Sequence, residues 1–248
     1  MSEISNMLSP PISAASPSPS TASGVALHVS PNLPNPRKQP LAPGSAKEIN
    51  LIHYLDDQLL RVFRRYEKRL PEEQRTVVEP NPPDDAPGYK NMEEVVADLD
   101  PLVDVVWISH TPPLQVAYLL SIAGDIGSYM PAFPFTPSIF PVLSKIDQAF
   151  VALLKLPNPA AGSVTSNHPP TKTDRVRIRS LTEEIRVTAV NTATKSGISA
   201  DLDDSSDEET DGQLSTFDAN QPYNETAIGA GLGRIFKGTI EILGDSLT

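Results

Sequence analysis

Residues 112–154 have the sequence PPLQVAYLLSIAGDIGSYMPAFPFTPSIFPVLSKIDQAFVALL, and this stretch decides the fold of the chain. Over the forty residues that end at Ser144, Asp125 is the only side chain with a formal charge. Apolar side chains recur at helical spacing on both sides of a proline-aromatic elbow, PAFPF. We therefore predict two helices, at about 112–130 and 137–156, that pack as an antiparallel hairpin in the centre of the core.

Each helix of this hairpin is expected to bury one stripe of side chains. In the first helix, the stripe comprises Leu114, Ala117, Tyr118, Ser121, Ile122 and Asp125. In the second helix, it comprises Ile139, Leu143, Ile146, Phe150, Leu153 and Leu154. Because burying an ionised carboxylate without partners costs several kcal/mol, Asp125 is expected near the surface, at a helix cap or in an ion pair.

Two further helices are predicted before the hairpin, completing a helical core over 45–156. Ser45 and Glu48 form a capping box that begins a helix of about 45–70. The next helix, of about 91–109, is expected to stop or kink at Asp100-Pro101, because proline cannot donate a backbone hydrogen bond.

The first predicted helix carries a basic face behind its apolar one. This face consists of Arg61, Arg64, Arg65 and Lys68. Three interpretations stay open: a solvated outer surface, a contact with a partner or nucleic acid, and an internal clamp on acidic segments. One turn of basic residues without accompanying glycines and aromatics is a weak nucleic-acid signal.

Three segments have compositions typical of disorder. They are a Ser/Pro-rich tail at 1–44, a linker at 157–171 and an acidic linker at 197–222. Within the acidic linker, DLDDSSDEETD holds seven acidic side chains and no basic one. Ser205 and Ser206 each precede a glutamate by three positions, a pattern resembling sites of acidophilic kinases.

The remaining apolar segments predict an accessory helix at 172–196 and an amphipathic C-terminal helix at 223–247, although a short strand at 175–179 is not excluded. The C-terminal glycines lack the lysine of a phosphate-binding loop. Projected as a helix, the last segment instead presents a candidate interaction face of Ile228, Leu232, Ile235, Phe236, Ile242 and Leu243. This face is expected to pack on the chain's own core, in a partner's groove or on a membrane.

The composition excludes several function classes. The net charge is -11, which disfavours non-specific binding to nucleic acid. There is no cysteine, and the four histidines are far apart, so we predict no metal site and no cofactor. Ser109 and His110 are adjacent in sequence, and adjacent side chains cannot adopt the geometry of a catalytic triad.

We therefore expect an all-α protein, a small helical bundle with a disordered tail and an acidic linker. Its predicted function is that of a non-catalytic interaction protein, an adaptor or small subunit of a multiprotein complex, regulated by phosphorylation. A membrane-surface or lipid-binding adaptor that uses the hairpin and the C-terminal helix is the alternative. The N-terminus resembles no secretory signal and no window is long enough to span a membrane, so a eukaryotic cytoplasmic or nuclear location is expected.

Overall fold

The computed structural model describes residues 32–75, 86–157, 168–198 and 225–245. All regular structure in these ranges is helical, so the prediction of an all-α chain is confirmed over the part that is described. No helix in these ranges is long and apolar enough to cross a bilayer. The helices are α1 (Ala46–Glu67), α2 (Met92–Ile108), α3 (Pro112–Tyr129), α4 (Ile139–Leu154), α5 (Lys172–Lys195), α6 (Glu225–Arg234) and α7 (Lys237–Asp245).

Five of these helices form a closed ring around one apolar core. Helix α2 packs against α3, α3 against α5, α5 against α7, α7 against α4, and α4 against α2. Contacts between α3 and α4 cross the ring, as expected for the hairpin. Helix α1 lies outside the ring on α2 and α3, and α6 lies on α5. Side chains with no exposed surface in this core include Leu99, Leu119, Ile126, Ile146 and Phe150.

No helix ends at Asp100-Pro101, where a stop or a kink was predicted. Helix α2 begins after Asn91, whose side chain accepts a hydrogen bond from the backbone of Glu94 at 3.0 Å, and it continues through the proline. Proline removes one backbone hydrogen bond, but Leu99 and its apolar neighbours are buried on either side of it. Burial of both halves against α3 and α4 therefore keeps the two halves in one helix.

The stripe predicted for α3 is partly wrong. Ala117 and Ser121 are exposed, whereas Val116, Leu119 and Ile126 are buried. Helix α3 contacts α2, α4 and α5, and it is apolar on nearly every side. The hydrophobic period therefore does not single out one face of this helix. The stripe predicted for α4 is buried throughout.

The predicted boundary of the tail at residue 44 is wrong for its last part. Residues 32–44 are described by the structure, and they run along the corner between α2 and α3. Leu41 is only 4% exposed, and its backbone N–H donates to the Thr111 hydroxyl at 3.0 Å. Prolines in this segment prevent a helix, but one anchoring leucine and a few hydrogen bonds hold it on the core.

The C-terminal segment forms two helices, α6 and α7, where one helix of 223–247 was predicted. The break occurs at Phe236, which adopts a left-handed backbone conformation with φ of 53°. This turn inserts the Phe236 ring beside Phe150, with ring centroids 6.3 Å apart. Pattern alone did not indicate the break, because the apolar spacing continues across it.

Close approach to α4 explains two of the C-terminal glycines. A Cβ atom at Gly231 would lie 2.6 Å from the Phe140 ring. One at Gly238 would lie 3.0 Å from Val151 and 3.3 Å from Asp147. The Asp147 carboxylate also accepts hydrogen bonds from the first turn of α7, including one from the Thr239 backbone at 2.8 Å. A side chain of α4 thus caps α7 and fixes its position.

Helix α5 is continuous, so the alternative of a short strand at 175–179 is excluded. Thr171 and Asp174 form a capping box at its start, with hydrogen bonds of 3.0 and 3.1 Å between each side chain and the other's backbone N–H. The alternating pattern in this stretch reflects arginines on the exposed part of a helix that buries Ile178 and Ile185.

Candidate functional site

A buried ionic centre joins α2 to α4. The Lys145 side chain has no exposed surface, and its Nζ atom lies 2.9 Å from each carboxylate oxygen of Asp100. The same Nζ atom lies 3.0 Å from both carboxylate oxygens of Asp104, one helical turn farther along α2. Three charged groups therefore form a single hydrogen-bonded cluster in an otherwise apolar contact.

The electrostatics of this centre depend on all three members. Burial raises the pKa of Asp100, and the hydrogen bond and charge of Lys145 oppose that increase. The ammonium group donates to Oδ2 of Asp100 and to both carboxylate oxygens of Asp104, whereas Oδ1 of Asp100 lies 2.9 Å from Nζ without a hydrogen bond of its own. The cluster therefore joins α2 to α4 through charged groups.

The sequence analysis missed Lys145, although a signal was present. Lys145 is the only charged side chain between Asp125 and Asp147, in a segment that is otherwise mostly apolar, and Asp100 and Asp104 share a face of α2 at i, i+4 spacing. Because long cations are rarely buried without partners, a lysine on a core face indicates that carboxylates lie opposite.

The basic face of α1 contributes to an internal clamp. Arg65 lies 2.5 Å from the Asp98 carboxylate and 3.6 Å from that of Glu94, and its guanidinium stacks 4.1 Å from the centre of the Tyr89 ring. Lys68 donates to the carbonyl oxygen of Ala86 at 2.8 Å. These two side chains hold α1 to the start of α2. Arg64 is half-buried, and Arg61 is exposed at the outer surface.

Aromatic contacts complete the attachment of α1. The rings of Tyr66 and Tyr129 stack with centroids 3.9 Å apart. Nearer the start of α1, the Asp56 carboxylate accepts a hydrogen bond from the Tyr118 hydroxyl at 2.6 Å. Burial, together with this hydrogen bond, raises the pKa of Tyr118. These polar and aromatic contacts of α1 add to the burial of its Leu55 and Val62 in the apolar core.

Asp125 is half-buried near the end of α3, beside Tyr129. Burial raises the pKa of its carboxyl group to about 6, and a hydrogen bond with Tyr129 opposes the increase. The same contact and burial raise the pKa of Tyr129. Among the described residues, only burial and Tyr129 contribute to the pKa shift of Asp125. Burial of this carboxylate therefore lowers the stability of the fold when the group is ionised, and the side chain is not part of a larger cluster of titratable groups.

Replacing Asp125 with asparagine should stabilise the protein at neutral pH. The pKa of Asp125 is raised in the folded protein, so between about pH 4 and 6 the folded side chain holds a proton that the unfolded chain releases. The stability of the wild-type protein therefore falls as the pH rises through this window. We expect Asp125→Asn to gain about 2 kcal/mol above pH 7 and almost nothing at pH 4. Urea unfolding at the two pH values checks this; equal gains at both would contradict it.

The predicted interaction face of the C-terminal segment packs on the chain's own core. Within it, Ile242 is half-buried, and the other members are at most 6% exposed. The surfaces that a lipid-binding function would use, in the hairpin and in this segment, therefore lie inside the bundle.

The remaining sequence candidates occupy different places. Ser109 donates to the carbonyl oxygen of Val106 at 2.7 Å, and His110 contacts the backbone of Arg37, so the two side chains serve the helix corner. The candidate phosphorylation sites Ser205 and Ser206 lie outside the described residues. Among the described residues, no group of three or more potential metal ligands occurs.

The outer face of α5 carries two exposed aliphatic side chains that the sequence analysis did not single out. Val176 is 65% exposed and Val187 is 61% exposed. They are eleven positions apart, so they share one stripe and lie about 16 Å from each other. Between them the Arg179–Glu183 ion pair, at 2.8 Å, neutralises the charges. The stripe is therefore apolar at both ends, and the exposed ion pair between them carries no net charge.

Comparisons with known proteins identify the family. No curated protein and no solved structure matches the chain. The model of the TFB6 family matches residues 88–244, which is more than half of the sequence and extends from the start of α2 into α7. Helix α1 and the segment before it lie outside the match. The chain therefore belongs to the TFB6 family, described as subunit 11 of the general transcription factor TFIIH.

Proposed function

We propose that this protein is a non-catalytic subunit of a TFIIH complex in the nucleus. The observation that carries the proposal is the family match, which covers the whole ring of helices. Among the described residues, the buried cluster around Lys145 pairs its charges with one another and joins two helices. A scaffolding or adaptor role fits such a bundle better than a reaction.

The outer face of α5 is the surface that we propose for binding to the rest of the complex. Val176 and Val187 are the most exposed large aliphatic side chains among the described residues. Helix α5 lies inside the region that matches the family, whereas the exposed apolar residues of α1, such as Ile49 and Leu60, lie outside it. Contacts common to a subunit family are expected on the part that the family shares.

Charging this face should detach the subunit without unfolding it. In the variant Val176→Asp/Val187→Asp, each carboxylate would be desolvated at the interface, at a cost of about 2 kcal/mol or more per site. We expect recovery of TFIIH subunits with the tagged variant to fall at least tenfold, measured by quantitative mass spectrometry of affinity-purified material.

The control places the same charges elsewhere. Ile49→Asp/Leu60→Asp changes two exposed side chains of α1 and should leave recovery within twofold of wild type. Circular dichroism should give the same helix content for both variants. If the α5 variant retains its partners, the α5 surface is wrong; if the wild-type chain recovers no TFIIH subunit, the family-level proposal is wrong.

We also propose that phosphorylation of Ser205 and Ser206 regulates this interaction. Each phosphate would add about 1.5 to 2 negative charges to a segment that is already acidic. The modified chain should bind basic partner surfaces more tightly and with a steeper salt dependence. Identical affinity and salt dependence before and after phosphorylation, with Ser205→Ala/Ser206→Ala as the unmodifiable control, would remove the regulatory proposal.

A further inference from the structure

A groove of about 410 Å³ lies between segment 32–44, the first turns of α1 and the last turns of α2. Its walls are mainly aliphatic. They are formed by Leu41, Leu51, Val105 and Ile108, together with Arg37, Lys47, Asn50 and Ser109. Ile108 is 38% exposed at its edge. Segment 32–44 and α1 lie outside the family match, whereas the wall of the groove on α2 lies inside it.

One wall of the groove is held by a polar clamp. The backbone N–H of Arg37 donates to the carbonyl oxygen of Ile108 at 3.3 Å, and the Arg37 carbonyl oxygen is hydrogen-bonded to Nδ1 of His110. Leu41 is fixed in turn through Thr111. His110 adopts a left-handed conformation, with φ of 53°, that is uncommon outside glycine and asparagine. Strain of this kind persists where surrounding contacts impose it.

The groove carries positive charge on a strongly acidic protein. Arg37 and Lys47 are both exposed on its rim, and no acidic side chain lines it. The nearest acidic residue of α1, Glu48, has its carboxylate directed to the backbone N–H of Gly44 at 2.6 Å. An apolar floor between two cations fits an apolar side chain flanked by acidic residues.

We propose that this groove binds an extended acidic segment of another protein, anchored by one leucine or phenylalanine. Of the chain's own segments, residues 1–31 fit it poorly because they contain a single charged side chain, Glu3. The acidic residues 199–224 begin about 27 Å from the groove, near the end of α3 where the Phe135 N–H donates to the Ser196 hydroxyl. An extended chain of that length can span this distance, so occupancy by this segment is an outcome that the test distinguishes.

The test uses the full-length protein and a short fluorescein-labelled peptide in which one leucine and one phenylalanine are surrounded by aspartates. Binding is measured by fluorescence anisotropy at low and high salt. We expect saturable binding that weakens at least tenfold in Ile108→Asp and at least fivefold in Lys47→Glu. The exposed control Leu60→Asp should bind as wild type does. Both substituted positions are exposed, so folding should persist, and circular dichroism checks it.

Three results would overturn the proposal. One is equal binding of a peptide whose leucine and phenylalanine are replaced by alanine, because this would indicate charge attraction alone. Another is unchanged binding in both groove variants. The third is an affinity gain of tenfold or more in Leu27→Asp or in Leu202→Asp, because this would place one of the chain's own segments in the groove. None of these outcomes depends on whether the chain assembles with TFIIH.

Discussion

Lys145→Met is expected to lower the free energy of unfolding by about 3–5 kcal/mol, the typical cost of removing one partner from a buried ion pair. Among the described residues, Lys145 is the cation that contacts Asp100, whose carboxylate is buried, and the substitution removes it. It also leaves Asp104 facing Asp100 without a compensating charge. Urea unfolding followed by circular dichroism measures the loss.

Neutralising the whole cluster should restore much of that stability. In Lys145→Met/Asp100→Asn/Asp104→Asn no charge remains at the site, and replacement of a complete buried cluster is often close to neutral. The exposed substitution Lys90→Met should change stability by no more than about 0.5 kcal/mol. If Lys145→Met alone costs less than about 1 kcal/mol, the cluster does not hold α2 against α4 as described.

Phe236→Ala should destabilise the protein by about 3–5 kcal/mol, the usual range for removing a buried aromatic ring. The Phe236 side chain is 1% exposed and packs on Phe150 of α4. Its loss would leave a cavity where α7 closes the ring, while the strained backbone conformation would remain. Denaturant unfolding measures the change, and hydrogen exchange of α6 and α7 should rise first.

Phe236→Leu is the matched control, because it keeps an apolar side chain and most of the packing volume. We expect it to cost less than half as much as the alanine variant. A Phe236→Ala protein that unfolds at the same urea concentration as wild type would mean that the C-terminal helices contribute little to the ring.

Much of the fold was predictable because the helices carry local signals. Ser45, Asn91 and Thr171 each cap a helix in the structure with a hydrogen bond from the residue three positions on. The apolar stripe of α4 is buried as expected. Such features depend on a few neighbouring residues, and the sequence contains them in full.

Features that depend on distant partners were not predictable. The break at Phe236 arises from docking onto Phe150, more than eighty positions earlier, and the apolar pattern continues across it. The buried face of α3 was misassigned because four neighbouring helices, α1, α2, α4 and α5, contact it. Pro101 lies within α2 because tertiary burial outweighs one lost hydrogen bond.

The candidate site was harder to predict than the fold. The basic face of α1 was recognised, but the acidic partners of Arg65 lie on α2 and became visible only in the structure. The exposed stripe of Val176 and Val187 has no local signature, since single exposed valines are common in helices. The proposal of a binding surface on α5 therefore needed both the structure and the family comparison.

Membership of TFIIH is tested most directly by purifying the complex through a different subunit and measuring how much of this chain accompanies it. Quantitative mass spectrometry gives the ratio to the tagged subunit across a size-exclusion profile. We predict co-elution at close to one copy per complex, and loss of the chain from that peak in Val176→Asp/Val187→Asp. Elution of the wild-type chain apart from TFIIH at every salt concentration would contradict its assignment as a subunit.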